Sequence, residues 1–344
     1  TDALRQDSTF FDEGKQTSSS KAKHFEEFAG CFRNPSEAGL GPIPSDLAQV
    51  LADLAIASPA VVALRCVSRQ FSSSFYARTL FAFDIANEFF SLFNKPESIA
   101  SVRLSTQRSS TERSPYWRRV LQYCTDGCLQ SVLEEFFHML KSDCPTIRDL
   151  YYRLADSMNL GTASIKVDGL NSFLNAKRRN MRCHYAVDLG NQRMETEDGK
   201  NRIKGIRQNF NSPFRPFVLA TTSIGQEGLD FHTYCRKIVH WNLPTNPIDL
   251  EQREGRINRF KGLVIRQQIA SKYRHLLNEA AVDEAGVWDA IFDLAEKQER
   301  EGTGKCELIP FWHVEADLYK IERIIPFYPF SRDRAKLSLL LKTL

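Results

Sequence analysis

The chain has 344 residues, of which 42% are hydrophobic and 26% are charged, and its formal net charge at pH 7 is +4. This balance is ordinary for a folded globular protein and leaves enough apolar material for one large domain or two ordinary ones. No apolar run reaches the ~18 residues that a membrane span requires, so we expect no transmembrane segment.

The eight cysteines include no C-x-x-C pair, and the N-terminus lacks the pattern of a secretory leader. We therefore expect a reducing, cytoplasmic environment. Cys124, Cys128, His138 and Cys144 are residue types that bind zinc. The helical spacing around them instead predicts buried small hydrophobes, so we predict no metal site. Because the chain begins with Thr1 and stops within an apolar helical pattern, we expect it to be a piece of a longer polypeptide.

Basic residues are unevenly distributed and form three clusters. They lie at residues 177–182, at residues 200–207, and along a segment that contains Lys261 and Arg266. Each cluster is most simply a solvated face, and the small net charge neither requires nor excludes a nucleic-acid partner.

The N-terminal part of the chain divides into a polar and a helical region. Residues 1–42 are rich in Ser, Gly, Lys and Glu with little periodicity, which predicts a loosely ordered lead-in. Within residues 43–158, apolar residues recur three and four positions apart, with a polar break at 105–117. This spacing predicts an all-helical subdomain or insertion whose aromatic residues form a core.

In residues 159–344 the pattern changes to strands that alternate with helices. Strands are predicted at residues 181–189, 215–222 and 236–244, and helices at residues 199–210 and 247–260. This alternation indicates an α/β domain with a mostly parallel sheet flanked by helices. Ligands of such sheets bind beyond the carboxyl ends of the strands, where we expect the functional residues.

The last of these helices has a strong start signal. Asn246 or Thr245 can cap it, and Pro247 fits its first turn. Helical periodicity places Leu250 and Ile257 together on one side, which predicts that this side packs against the rest of the domain.

The opposite side of the same helix is predicted to carry Gln252, Arg256 and Arg259 within about 60° of arc. Gly255 lies beside them and costs about 1 kcal/mol in a helix interior. We interpret this glycine as room for a close approach to the arginine face. Two guanidiniums suit the charge on a transferring phosphoryl group, although arginines alone are more simply a solvated face.

The segment PFVLATTSIGQEGLDFH, residues 216–232, runs from an apolar strand into hydroxyl residues, glycines and Asp230. Hydroxyls and free backbone amides at a strand end suit phosphates, and a carboxylate one turn later can accept from a ribose hydroxyl. A tight strand-to-helix connection with capping residues is an equal alternative for this segment alone.

TTSIGQEGLDF resembles motif V, and EQREGRINR resembles motif VI (Q-R-x-G-R-x-x-R), of the superfamily-two helicases and translocases. Their order is that of the second RecA-like domain of this superfamily. HWNLPTNPIDLEQREGRINR is similar to the SNF-type, RapA-like branch, whose members remodel or translocate on double-stranded nucleic acid. Longer bacterial helicases from anti-phage defence regions are similar from FNSPFRPFVLATTSIGQEGLDFH to the IPFW and YPFSRD segments. The resemblance covers about residues 160–344.

The resemblance implies a nucleotide site. Arg256 and Arg259 would be arginine fingers that reach the γ-phosphate of ATP across an interdomain cleft, with Gln252 near the nucleotide. Gly228 and Asp230 would contact the ribose side of ATP or the domain interface. The chain has no G-x-x-x-x-G-K-[ST] loop after a strand and no D-E-x-x pair in the right setting. ATP and Mg would therefore be held mainly by an N-terminal RecA-like half of the same polypeptide.

The resemblance also implies a nucleic-acid site. Thr222 and Ser223 would contact the nucleic-acid backbone, whereas Arg253 is expected in a structural ion pair. The leading hypothesis is a C-terminal motor half of a helicase or translocase, with double-stranded DNA and defence-system subunits as partners and no membrane. The alternative is a non-catalytic, helicase-like scaffold that binds DNA or a partner. The isolated piece is expected not to hydrolyse ATP.

Overall fold

The computed structural model describes residues 42–106, 114–159, 163–167, 179–183, 205–221, 230–277, 286–301, 307–315 and 318–343, together with residues 30, 31, 33 and 282. The chain divides into two compact units, Thr1–Leu51 and Ala52–Leu344. In the described ranges no single helix is long and apolar enough to cross a membrane, although one bent pair of helices, Leu47–Ala57 with Pro59–Gln70, passes by length and composition.

In its described part, the region before residue 159 consists of helices and the segments that connect them. Its helices are α1 (Leu47–Ala57), α2 (Pro59–Gln70), α3 (Phe75–Phe93), α4 (Pro96–Ser105), α5 (Tyr116–Asp126), α6 (Leu129–Leu140) and α7 (Ile147–Met158). Two starts are fixed by their caps. The Ser74 hydroxyl accepts from the Ala77 amide at the start of α3, and Thr146 and Asp149 form a reciprocal capping box at α7.

Apolar faces of these helices form a shared core. Its fully buried members include Ile85 and Phe89 on α3, Phe136 and Phe137 on α6, and Leu150 on α7. The three- and four-residue spacing places them on inward faces, and each buried side chain of this size contributes about 1.5–3 kcal/mol. Many aromatic residues of this region thus belong to the core, as their spacing predicts, but five are exposed: Phe75, Tyr76, Phe90, Trp117 and Tyr152.

The cysteines of the helical region differ in solvent exposure. Cys124 and Cys144 are buried in the core, whereas Cys128 is exposed, with a positive φ of 50°. Burial raises the pKa of the Cys124 thiol to about 12. Across the described residues no group of three or more His, Cys, Asp or Glu side chains is arranged to hold a metal ion.

Two short strand pairs follow. Strand β1 (Ala163–Val167) pairs antiparallel with β2 (Arg179–Cys183), and β3 (Lys237–Val239) pairs parallel with β4 (Glu322–Ile324). The prediction of a mostly parallel sheet is therefore correct only for the second pair in the part of the chain that the structure describes. The strand predicted at residues 236–244 is shorter than expected: β3 ends at Val239, and the last hydrogen bond to β4 is donated by the His240 amide to the Ile324 carbonyl at 2.9 Å.

The remaining regular structure is helical. Residues 205–210 are helical, followed by α8 (Pro247–Glu254), α9 (Leu263–Tyr273) with a 3₁₀ turn at Arg274–Leu276, α10 (Val287–Arg300) and α11 (Asp333–Thr343). Helices α9 and α10 bury Ile269 against Phe292, and Leu250 of α8 packs with Leu340 of α11.

The predicted buried strand at residues 215–222 is wrong for its described part. Residues 216–221 have no regular secondary structure, and Phe217 and Val218 are 74% and 83% exposed. The preceding Phe214 explains the difference, because its buried ring packs edge-on against Phe89 and Phe136, at centroid distances of 5.7 and 5.9 Å. The Phe214 ring thus packs the start of this segment against the helical region, and residues 216–221 do not form a strand.

Candidate functional site

Helix α8 begins where the sequence predicts. The Asn246 side chain accepts a hydrogen bond from the Ile248 amide at 3.1 Å, and Pro247 occupies the first turn. Leu250 and Ile257 are both buried, as their spacing predicts. The start of the helix and its packing side are therefore fixed by local signals that the sequence carries.

The end of α8 differs from the prediction. The helix stops at Glu254, and Gly255 is its C-terminal cap. Beyond it the turn tightens, since the Arg256 amide donates to the Arg253 carbonyl at 3.3 Å. Gly255 is therefore not an interior helix residue. A Cβ there would lie 3.2 Å from the Glu251 carbonyl oxygen, so the close approach at this glycine is to its own helix.

Because α8 ends early, Gln252, Arg256 and Arg259 do not share one helical face. Gln252 is exposed on α8, while the two arginines lie in the turn that follows. Arg259 Nε lies 3.2 Å from Asp230 Oδ1, and the two side chains are 40% and 39% exposed. The Arg256 carbonyl accepts from the Phe231 amide at 3.0 Å.

The Arg256 side chain, like that of Arg253, contains an unsatisfied buried donor. Its Nε atom is buried and has no hydrogen-bond partner among the residues that the structure describes. A buried donor without an acceptor is unfavourable, so this atom lacks a hydrogen bond that a different arrangement of the site could supply. The two predicted motifs thus meet in space through Asp230 and Phe231 on one side and Arg256 and Arg259 on the other.

Arg266 on α9 has a structural role that was not predicted from the sequence. This side chain is fully buried, and its Nε lies 2.5 Å from Glu135 Oε1 of α6. Its two terminal nitrogens donate to the carbonyls of Thr233 and Lys261, at 2.5 and 2.8 Å, and its guanidinium lies over the Tyr234 ring. Arg266 therefore connects Thr233 and Lys261, which follow the two motifs, to Glu135 in the helical region.

Lys261 and Arg266 of the third basic cluster consequently do not lie on a solvated face. Lys261, with a positive φ of 49°, places its ammonium 4.4 Å from the Phe292 ring centroid. Burial lowers the pKa of Lys261. The interpretation of Lys261 and Arg266 as a surface patch is wrong, because both cations are held by aromatic rings, and Arg266 also by backbone carbonyls and a carboxylate.

Comparison with known proteins identifies the segment that carries both motifs. Residues 162–261 match the helicase conserved C-terminal domain. The match covers under a third of the chain and contains every predicted site residue. No curated protein and no solved structure matches the chain.

Three of the predicted site residues in the matched segment fall in a range that the structure does not describe. Thr222, Ser223 and Gly228 lie outside the described residues. Asp230 is held from its backbone side, because the Asn211 side-chain amide donates to its carbonyl at 2.7 Å. Of the predicted nucleotide contacts, the structure brings together Asp230 and Arg259.

His232, which was also not predicted as a site residue, lies two positions after Asp230. Its Nδ1 atom is buried without a hydrogen-bond partner in the described ranges. Burial lowers the pKa of this imidazole, with the Asp230 carboxylate acting in the opposite direction. A neutral ring beside the arginines adds no positive charge to repel them.

The C-terminal end of α8 is held by a polar cluster. Glu254 accepts two hydrogen bonds from Arg323 of β4, at 2.5 and 2.7 Å, and lies 3.2 Å from His240 Nε2. Burial opposes ionisation of Glu254, but the Arg323 and His240 hydrogen bonds bring its pKa below the ordinary value. Arg253 donates to the Asn242 carbonyl at 2.8 Å, a structural bond to backbone rather than the predicted ion pair.

Proposed function

We propose that this chain is the C-terminal motor half of an ATP-dependent nucleic-acid helicase or translocase. The observation that carries the proposal is the 3.2 Å contact between Asp230 and Arg259, which joins the two motifs inside the matched helicase C-terminal domain. Residues 29 positions apart in sequence thereby form one charged site.

In this proposal Arg256 and Arg259 are the arginine fingers. Their planar forks suit the oxygens of a γ-phosphate, where charge develops during transfer. Gln252, Gly228 and Asp230 lie on the nucleotide side, and Thr222 and Ser223 contact the nucleic-acid backbone. ATP and Mg are held mainly by an N-terminal RecA-like half of the same polypeptide.

The Asp230–Arg259 ion pair can be broken at little cost in free energy when the two halves of the motor close. Both side chains are partly exposed, and solvated ion pairs of this kind contribute only about 0–1 kcal/mol. Arg259 can therefore leave Asp230 for a phosphate with little loss, while the buried Arg256 Nε gains an acceptor. Closure of the two halves then couples ATP state to domain motion.

The resemblance to the SNF-type, RapA-like branch supports double-stranded DNA as the substrate, with translocation rather than strand separation. Its similarity to helicases of anti-phage defence regions supports a cytoplasmic role in bacterial defence alongside other subunits. These finer assignments rest on the motif sequences alone.

The test is ATP turnover by the intact polypeptide, with and without duplex DNA. The matched pair of variants is Arg259→Ala and Arg148→Ala, because Arg148 is an exposed arginine on α7. We expect DNA to stimulate turnover and Arg259→Ala to reduce it by at least about 100-fold, while Arg148→Ala behaves as the parent.

The contrary results separate the alternatives. Absence of turnover with retained DNA binding would favour the non-catalytic scaffold. DNA-stimulated turnover that is indifferent to Arg259 would keep the motor and reject this residue as a finger.

A further inference from the structure

A polar pocket in the helical region lies apart from the helicase motifs. It has a volume of about 470 Å³ and is formed by the connection between α2 and α3 together with Lys141 after α6 and Asp289 of α10. Three hydroxyls and three cations contribute to its lining, from Ser68, Ser72, Ser73, Arg69, Arg78 and Lys141.

The cations of this pocket differ in their partners. Arg69 pairs with Glu134, Lys141 Nζ lies 2.9 Å from Asp289 Oδ2, and His138 Nδ1 lies 3.2 Å from Asp289 Oδ1. The Arg78 guanidinium forms no ion pair among the described residues, and its buried Nε atom has no hydrogen-bond partner there. The pocket therefore contains one guanidinium without an ion-pair partner, together with the single carboxylate of Asp289.

A second donor in the pocket is also unsatisfied. The Ser73 hydroxyl oxygen is buried and has no hydrogen-bond partner among the described residues. Ser73 precedes Ser74, the cap of the 19-residue helix α3, whose first turn carries no acidic residue. The positive end of the α3 dipole thus adds to the charge of Arg78 instead of being cancelled.

We propose that this pocket binds a phosphate group, with Arg78 and Ser73 as the inner ligands and Arg69 and Lys141 at the rim. Guanidinium, hydroxyl and ammonium donors beside a helix N-terminus are the groups that bind phosphate in proteins. The phosphate is carried either by a nucleic-acid backbone or by a small phosphate ester. The site does not depend on the function proposed above.

The experiment uses the full chain and two probes, a fluorescein-labelled DNA duplex followed by anisotropy and inorganic phosphate followed by calorimetry. The variants are Arg78→Gln, Ser73→Ala and the matched surface control Arg148→Gln. We expect Arg78→Gln to weaken binding of at least one probe by about tenfold, with a smaller loss for Ser73→Ala and none for the control.

The two probes distinguish the sources of phosphate. A loss confined to the duplex, with a salt dependence reduced by about one phosphate contact, assigns the site to a nucleic-acid backbone. A loss for inorganic phosphate with unchanged duplex binding assigns it to a small phosphate ester. If both variants melt as the parent does and bind both probes as the control does, the site is overturned. Ser73→Ala, which removes one oxygen, decides the question if Arg78→Gln does not fold.

Discussion

The most consequential single residue outside the motifs is Arg266. Burying a guanidinium costs several kcal/mol unless its donors are satisfied, and here Glu135 and the carbonyls of Thr233 and Lys261 satisfy them. Those two carbonyls follow Asp230 and Arg259 closely in sequence. Arg266 therefore positions the segments that carry the proposed nucleotide contacts.

Removing the acidic partner of Arg266 is expected to destabilise the chain strongly. Glu135→Gln leaves a buried cation with reduced compensation, and we predict a loss of about 3 kcal/mol in the free energy of unfolding, measured by urea denaturation. The matched control is Glu322→Gln, which removes an exposed carboxylate that contacts Arg236 and Lys237. We expect no measurable change there. Equal, small losses for both variants would show that Arg266 does not need Glu135.

The sequence contained a signal for the burial of Arg266. It lies three and seven positions before Ile269 and Tyr273, which are both buried on α9, and so shares their face. By contrast, its partners are 131 positions away in Glu135 and 33 away in Thr233. Periodicity can place a residue on the inner side of a helix, but it cannot identify a distant partner.

At the scale of elements, α8 shows which local sequence signals determine where a helix begins and ends. Its N-terminus follows from Asn246 and Pro247, whose preferences act within four residues. Its C-terminus does not follow from periodicity, because apolar spacing continues through Ile257 while the backbone has already turned at Gly255. The buried strand predicted at residues 215–222 is wrong in its described part for a similar reason. An apolar run indicates that burial is favourable, but it does not identify the surface against which the residues pack.

The N-cap of α8 gives a direct stability prediction. Asn246→Ala removes the acceptor for the Ile248 amide, and we expect a loss of about 1 kcal/mol in the free energy of unfolding. Asn242→Ala is the matched control, because Asn242 contributes only its backbone carbonyl to Arg253. Thermal or urea unfolding of the two variants compares them. A loss for Asn242→Ala equal to that for Asn246→Ala would contradict the capping role.

At the scale of the whole molecule, stability should depend on pH through His232 and His240. Burial lowers the pKa of both His232 and His240 from 6.5, so the folded state binds fewer protons than the unfolded state just below that value. Their contribution is complete above pH 6.5 and is lost as the pH falls through the folded pKa values. Glu254, whose pKa is lowered from 4.5, adds a further loss under more acidic conditions.

We therefore predict that His232 and His240 lower the free energy of unfolding as the pH falls from about 7 to 5. Asp84 opposes them in part of this interval, because burial raises its pKa to about 6 and its protonation stabilises the folded state. The test is urea denaturation at a series of pH values for the parent and for the double variant His232→Gln and His240→Gln. We expect the stability of the parent relative to the double variant to fall on acidification, and a difference that does not change with pH would contradict the neutral state of these rings.

The central claim for the whole molecule is that Arg256 acts on the phosphate and not on folding. Single-turnover ATP hydrolysis by the intact polypeptide, compared for the parent, Arg256→Ala and Arg148→Ala, tests it most directly. We predict that Arg256→Ala lowers the rate by roughly 1,000-fold, with ATP affinity changed less than about threefold, unaltered melting and parental rates for the control. An unchanged single-turnover rate in a folded Arg256→Ala protein would contradict the account.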